Sequence, residues 1–340
     1  MPTNITFRTQ LVGSVHDFCD NCGVDFLSKP LNLVELIVIL ARLKEEGASL
    51  SPKIYITNNV KLLLTMLPDS EVLNVGKASA NIEGLKLAVK KCAPLAIGGW
   101  QVYINDFGED IEYGLFRGTG NPISVPIDDV IMGENGELKT VNAYQVAEDC
   151  VEIKANNGSF HYVFLNHRKE ESPPPLQYLD NLVQSISSDV KGKYKEALSG
   201  YLKKLIFESL RKSHGCIIAV TNMTRPPRSL SEDGIIFSPP IDFANLVEHT
   251  ASNSVSPFSL DSKKYLVQGM LQSDGILLFD SRARLLGYNI FIKVTSNNEV
   301  IGGARNRAFL ALSNQLGRGL KSVFIQSQDG WSDFKDNNNE

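Results

Sequence analysis

Two arginines lie where the physics of a helix disfavours them. In Val300-Ile301-Gly302-Gly303-Ala304-Arg305-Asn306-Arg307-Ala308, two glycines lead into a segment with Ala308, Ala311, Leu312 and Leu316 at helical spacing. That spacing predicts a helix over residues 305–316. The first turn of a helix carries the positive end of the peptide dipole, and a cation there costs some tenths of a kcal/mol. An anion at this end removes the conflict. Glycine lets a ligand approach the backbone, the N-terminal N–H groups bind phosphate, and the arginine fork donates two hydrogen bonds at once. Two surface arginines with their stems laid along the helix are the competing reading.

A carboxylate stands about thirty residues upstream, in Asp274-Gly275, just before the apolar run 276–279. An acid at a strand start, followed by glycine, can hold Mg²⁺ or Mn²⁺ between phosphates. Asp-Gly is also a common turn. Ser327-Gln328-Asp329-Gly330 follows a further apolar run, 322–326, and forms a third loop. Loops at the strand ends of an α/β sheet are where ligands bind.

The elements that must position these loops are legible around them. Apolar periodicity predicts helices over 176–188 and 194–211, and continuous apolar runs predict strands at 215–220, 276–279, 288–294 and 322–326. Strands alternating with helices argue for an α/β domain, a mixed or parallel sheet flanked by helices. Upstream, helical spacing recurs at 31–44 and 85–91, and strands are expected at 101–105, 111–116, 151–154 and 160–165, with turns at 106–108 and 156–158. This first part reads as a soluble α+β domain. The seam is Glu170-Glu171-Ser172-Pro173-Pro174-Pro175, because three prolines continue neither a helix nor a central strand. The expected domains are 1–172 and 173–335, with a disordered tail at 336–340.

In order and spacing, the three loops resemble those of the diadenylate cyclase domains, which make cyclic di-AMP from two ATP. That family has Asp-Gly-Ala at a strand start, Gly-Thr-Arg-His-Arg entering a helix, and a strand ending in Ser-Glu-Glu-x-Gly. Here the corresponding residues are Asp274-Gly275-Ile276, Gly303-Ala304-Arg305-Asn306-Arg307 and Ser327-Gln328-Asp329-Gly330. Gly215-Cys216-Ile217-Ile218 looks like the family's first core strand, and the resemblance covers roughly residues 195–335. It implies ATP as substrate and Mg²⁺ or Mn²⁺ as metal. Asp274 would hold the ion and help deprotonate the 3′-hydroxyl. Arg305 and Arg307, with N–H groups from Gly303 through Ala304 to Asn306, would hold phosphates, and Ser327 would contact them. Gly275 and Ile276 would approach base or ribose through the backbone, and Gln328 takes a metal-contacting position. Each nucleotide is nucleophile and electrophile at once, so two copies must meet as a face-to-face homodimer or within a higher homo-oligomer. The chain departs from the family at Ile276, Ala304, Asn306 and Gln328. These departures keep a second reading open, a non-catalytic nucleotide-binding sensor. Residues 1–172 would then be the sensor or regulatory part.

The bulk composition fits these readings. The 340 residues are 43% hydrophobic and 21% charged, with a formal net charge of −4. The first half is acidic and the second mildly basic, which suits a small anion and gives no clustered patch for nucleic acid. Five cysteines, an odd number without framework spacing, point to a reducing, cytoplasmic compartment. The start of the chain has no apolar signal core, and the apolar stretch 31–43 contains Glu35 and Arg42 and is too short for a bilayer. His16-x-x-Cys19-x-x-Cys22 has metal-like spacing but lacks a fourth ligand nearby, so reduced cysteines are the simpler reading. Trp100 and the aromatics after it read as core, and Arg225-Pro-Pro-Arg228 as a solvated loop that could reach a triphosphate. Limited proteolysis is expected to cut first within residues 170–175. First cleavage inside 31–165 or 194–290 would count against the seam.

Overall fold

The structure is a computed structural model. It describes residues 7–23, 30–118, 121, 123, 127–133, 136–147, 149–165, 178–211, 213, 215–292, 303–327 and 331–337. The proline seam lies outside these residues. By its contacts the chain divides into unit 1, residues 1–120 and 126–171, and unit 2, residues 172–340 with 121–125.

Unit 1 runs α1 (Phe7–Cys22), α2 (Pro30–Ala41), a small hairpin β1 (Lys44–Glu45) and β2 (Ala48–Ser49), then β3 (Ile54–Thr57), α3 (Val60–Thr65), β4 (Glu71–Ser79) and α4 (Ile82–Cys92). It continues with β5 (Gln101–Asp106), β6 (Asp110–Arg117), α5 (Ile127–Ile131), β7 (Thr140–Ala147), β8 (Cys150–Ala155) and β9 (Phe160–Phe164). Among the described residues, seven strands form one mixed sheet in the order β4-β6-β5-β3-β7-β8-β9. Only β3 and β5 pair in parallel within it. Period-two alternation sends Ile54, Ile56, Val102, Ile104, Val141 and Ala143 to a core shared with α2 and α4. The intervening Tyr55, Tyr103 and Phe116 pack on the other face with Val60, Leu63 and Ile131 of α3 and α5.

Unit 2 runs α6 (Leu179–Ile186), α7 (Lys195–Leu210), β10 (Cys216–Thr221), β11 (Ile235–Asp242), α8 (Phe243–Ala251) and α9 (Phe258–Gln272). It ends with β12 (Ile276–Asp280), β13 (Arg284–Ile290), α10 (Ala304–Ser313), β14 (Leu320–Gln326) and β15 (Ser332–Asp336). The sheet is mixed, in the order β11-β13-β12-β10-β14-β15, and β10 with β12 is its parallel pair. Its central strands are buried on both faces, which is why they read as unbroken apolar runs. Ile218, Val220, Leu277, Phe279 and Phe324 face α6 to α9. Ile217, Ala219, Ile276, Leu278, Val323 and Ile325 face α10.

Both units are therefore mixed α/β, each a mixed sheet with helices on its faces. One strand begins earlier than its apolar run implies. β13 starts at Arg284, because the turn before it is built by Asp280, whose Oδ1 accepts the N–H groups of Arg282 (3.0 Å) and Arg284 (2.9 Å).

Two glycines fix β13 between its neighbours. Gly234, before β11, has φ +139° and a Cβ there would stand 2.7 Å from Ile290 Cα. Gly275, before β12, has φ +105° and its Cβ would stand 2.7 Å from Asn289 Cα. Gly275→Ala is expected to cost about 2 kcal/mol or more in urea denaturation, from both positive φ and backbone collision. Gly269→Ala, inside α9 with open space at its Cβ, should instead stabilise by about 0.5–1 kcal/mol. Equal effects would remove the packing argument.

Candidate functional site

The ladder of unit 2 brings three separated loops to one sheet end. Ile217 of β10 lies opposite Ile276 of β12, so both parallel strands begin at the same end. Cys216 lies opposite Gln326 in the antiparallel β14, so β14 finishes there and Ser327 follows. Gln326 in turn faces Ser332, the first residue of β15. Asp274 and Gly275 stand just before β12. Gly303 caps α10 with φ −67° and no side-chain acceptor, and Ala304, Arg305, Asn306 and Arg307 make its first turn.

The loops meet in an ion pair. Arg305 Nη2 donates to Asp274 Oδ1 at 3.2 Å, across 31 residues of sequence. The Asp274 side chain is 82% exposed and that of Arg305 36%. A pair so open to water is worth at most about 1 kcal/mol, so the fold does not depend on it. It does explain part of the misplaced charge. Asp274 supplies an anion beside the first turn of α10, which the dipole argument required of a ligand. The protein's own carboxylate holds Arg305 in place. Arg307 is exposed on the same turn, and its N–H closes the first helical bond to Gly303 at 3.2 Å.

Two residues at this end gave no signal in the sequence. Cys216 is buried at the start of β10, and burial pushes its thiol up to about 12 against the lowering effect of the Arg305 charge. Burial thus favours the protonated thiol, the less nucleophilic form. The side chain of Gln326 is buried, and its Oε1 has no hydrogen-bond partner among the described residues. Both read as ordinary strand residues, and only register with β14 brings them beside the loops.

Not every expected residue comes to this end in the expected role. Ile276 is 2% exposed, packed in the core and paired on both sides, to Ile217 and Ile290. Its side chain serves packing. Gly275 is required by its contact with Asn289. Gln328, Asp329 and Gly330 lie outside the described residues. Arg225-Pro-Pro-Arg228 follows Thr221 at the opposite end of β10, where Pro227 stands 3.6 Å from the Cβ position of Gly319. The structure separates this loop's start from Asp274.

In unit 1, His16, Cys19 and Cys22 share α1, but His16 pairs with Asp20 at 3.0 Å and Cys19 is buried. No disulfide joins any of the five cysteines, and no group of three His, Cys, Asp or Glu that could hold a metal occurs among the described residues. Trp100 packs against the core with the Arg117 guanidinium 5.0 Å above its ring. No helix among the described residues is long and apolar enough to cross a membrane.

No protein-family model matches this chain, and no curated protein matches it.

Arg305→Ala is expected to leave stability without ligand within about 1 kcal/mol of wild type, since an exposed pair is lost while a cation leaves the positive helix end. It should weaken ATP binding at least about tenfold, since charge-assisted hydrogen bonds are worth about 1.5–3 kcal/mol. Calorimetric titration and melting check both. Lost stability with ATP affinity retained would make Arg305 structural.

Proposed function

We propose that unit 2 binds ATP at the Asp274–Arg305 end of its sheet and condenses two molecules into cyclic di-AMP, releasing pyrophosphate. Unit 1 would act as its sensor or regulatory domain. The reading rests on one observation. Asp274-Gly275, Gly303 to Arg307 and Ser327, which belong to three segments that resemble diadenylate cyclase motifs and lie far apart in sequence, come to one end of a mixed sheet, with Asp274 and Arg305 in contact at 3.2 Å.

In each half of the reaction a 3′-hydroxyl oxygen bonds to the α-phosphorus of the facing nucleotide. The bond to the bridging oxygen breaks, and pyrophosphate leaves with its electron pair. Arg305 and Arg307 would offset the charge on the phosphate oxygens, with N–H groups of the α10 first turn adding to them. Ser327 would add a hydroxyl from the residue after β14. Asp274 would help take the 3′-hydroxyl proton.

Its exposed carboxylate is the donor type that Mg²⁺ or Mn²⁺ takes, since such ions commonly bind one or two carboxylates and substrate phosphates. Asp274, with Gln328, would hold the ion, and the ion when bound draws charge from the phosphates. One unit 2 has one such carboxylate and arginine set, so two protomers must face each other in an isologous homodimer.

The second reading is a nucleotide sensor without turnover. The Asp274–Arg305 pair itself favours it, because a guanidinium on that carboxylate competes with a metal ion. Asn306 and Gln328 depart from the family in the same direction.

Incubation with ATP and Mg²⁺ or Mn²⁺, read by mass spectrometry alongside ATP binding, separates the readings. Product supports the cyclase, and binding without product supports the sensor. The cyclase reading expects Asp274→Asn to cut product formation about 100-fold or more with melting unchanged. It also expects specific activity to fall on dilution below the dimer dissociation constant. Neither binding nor product would overturn both readings.

A further inference from the structure

A second cluster of polar groups lies in unit 1, away from every motif above. Asp128 on α5 points its carboxylate at the sheet face made by β3 and β7. Lys53 Nζ donates to its Oδ2, and the Tyr55 hydroxyl donates to its Oδ1. Asn142 Nδ2 approaches the same Oδ1 at 3.4 Å. Lys53 also lies over the Tyr144 ring, 5.0 Å from its centroid, and Tyr144 donates to Glu152 at 2.8 Å.

The donors come from two neighbouring strands and the residue before one of them. Tyr55 is fully buried and Asn142 is 2% exposed. Burying a phenol and an amide this way, beside a largely covered lysine, is costly unless an oxyanion is present to accept from them. Asp128 is the resident anion, yet its side chain is 34% exposed. α5 is held separately by Ile131, which is fully buried among Tyr55, Leu63, Tyr103 and Phe116. The carboxylate can therefore leave by rotation of one side chain while the helix stays in place. One group is left unsatisfied: Asn142 Oδ1 is buried with no hydrogen-bond partner among the described residues. With its Nδ2 turned to the carboxylate, the amide leaves this oxygen without a donor.

We propose that Lys53, Tyr55 and Asn142 form a receptor for the carboxylate of a small 2-hydroxy or 2-amino acid, and that Asp128 fills it as a built-in substitute. The ligand's two carboxylate oxygens take the positions of Oδ1 and Oδ2. Its neighbouring hydroxyl or ammonium donates to Asn142 Oδ1, which Asp128 cannot do. The proposal is independent of the nucleotide reading, since none of these residues belongs to unit 2.

The test uses the full chain carrying Asp128→Ala, with acetate, glycolate and inorganic phosphate as probes and calorimetric melting as the readout. Loss of the resident anion should lower the unit 1 transition. Glycolate should then raise it saturably, by about 3–6 °C at ten times its dissociation constant, with acetate and phosphate weaker. Adding Lys53→Met should remove the response. If no probe raises the variant's melting more than the wild type's, the cluster is a structural staple and the proposal fails. Acetate equal to glycolate would overturn the role of Asn142 Oδ1, and phosphate above both would overturn the carboxylate class. If Asp128→Ala does not fold, Asp128→Asn keeps the side-chain size and is read against the same order of probes.

Discussion

Strand β10 is the constraint on which unit 2 depends. All six of its residues are buried, so every backbone polar group must find its partner in the ladder. It does so by pairing in parallel with β12 on one side and antiparallel with β14 on the other. That choice of directions has a geometric consequence. The loop before β12 and the loop after β14 must emerge at the same end, whatever residues they hold. In a doubly wound sheet ligands gather beyond the carboxyl ends of the parallel strands. Here the candidate loops gather where the parallel strands begin, and the antiparallel β14 makes that end rich in loops.

Three carboxylate–cation pairs show how exposure separates roles. Asp280 is 2% exposed in its side chain, accepts two backbone N–H groups and takes Arg284 Nε at 2.7 Å. It shapes the β12–β13 turn, and removing it would strand buried donors. Asp128 is intermediate, one-third open, with two buried donors and a partly exposed lysine around it. Asp274 is almost fully open and holds only a half-exposed arginine. The fold requires the first, uses the second, and leaves the third able to exchange its partner. A ligand site needs that last property, because an anion or cation must displace something weakly held.

Helix and strand content was legible where a pattern was strong. The aromatic and β-branched runs at 101–105 and 111–116 and the unbroken apolar runs of β10, β12 and β14 stand in the structure close to their expected limits. Elements with mixed patterns were not read. β4 has only partly buried and exposed residues, and β11 contains two prolines at an edge, so neither shows alternation. α8 and α9 pack only part of their surfaces and carry exposed Phe258, Tyr265 and Leu266, which blur the apolar stripe.

By itself the sequence determined that this chain mixes helices and strands, that α10 begins with glycine and two arginines, and that an acid-glycine pair precedes a buried strand. These follow from local rules: period, backbone freedom and the sign of the helix dipole. The tertiary structure alone decided that Asp274 answers Arg305, that Cys216 and Gln326 stand beside them, and that Asp128 sits against Lys53, Tyr55 and Asn142. Each of these depends on strand order and register, which bring together residues 14 to over 100 positions apart. Local pattern carries no information about which strand lies next to which, so side chains that meet only across a sheet cannot be paired from their spacing along the chain.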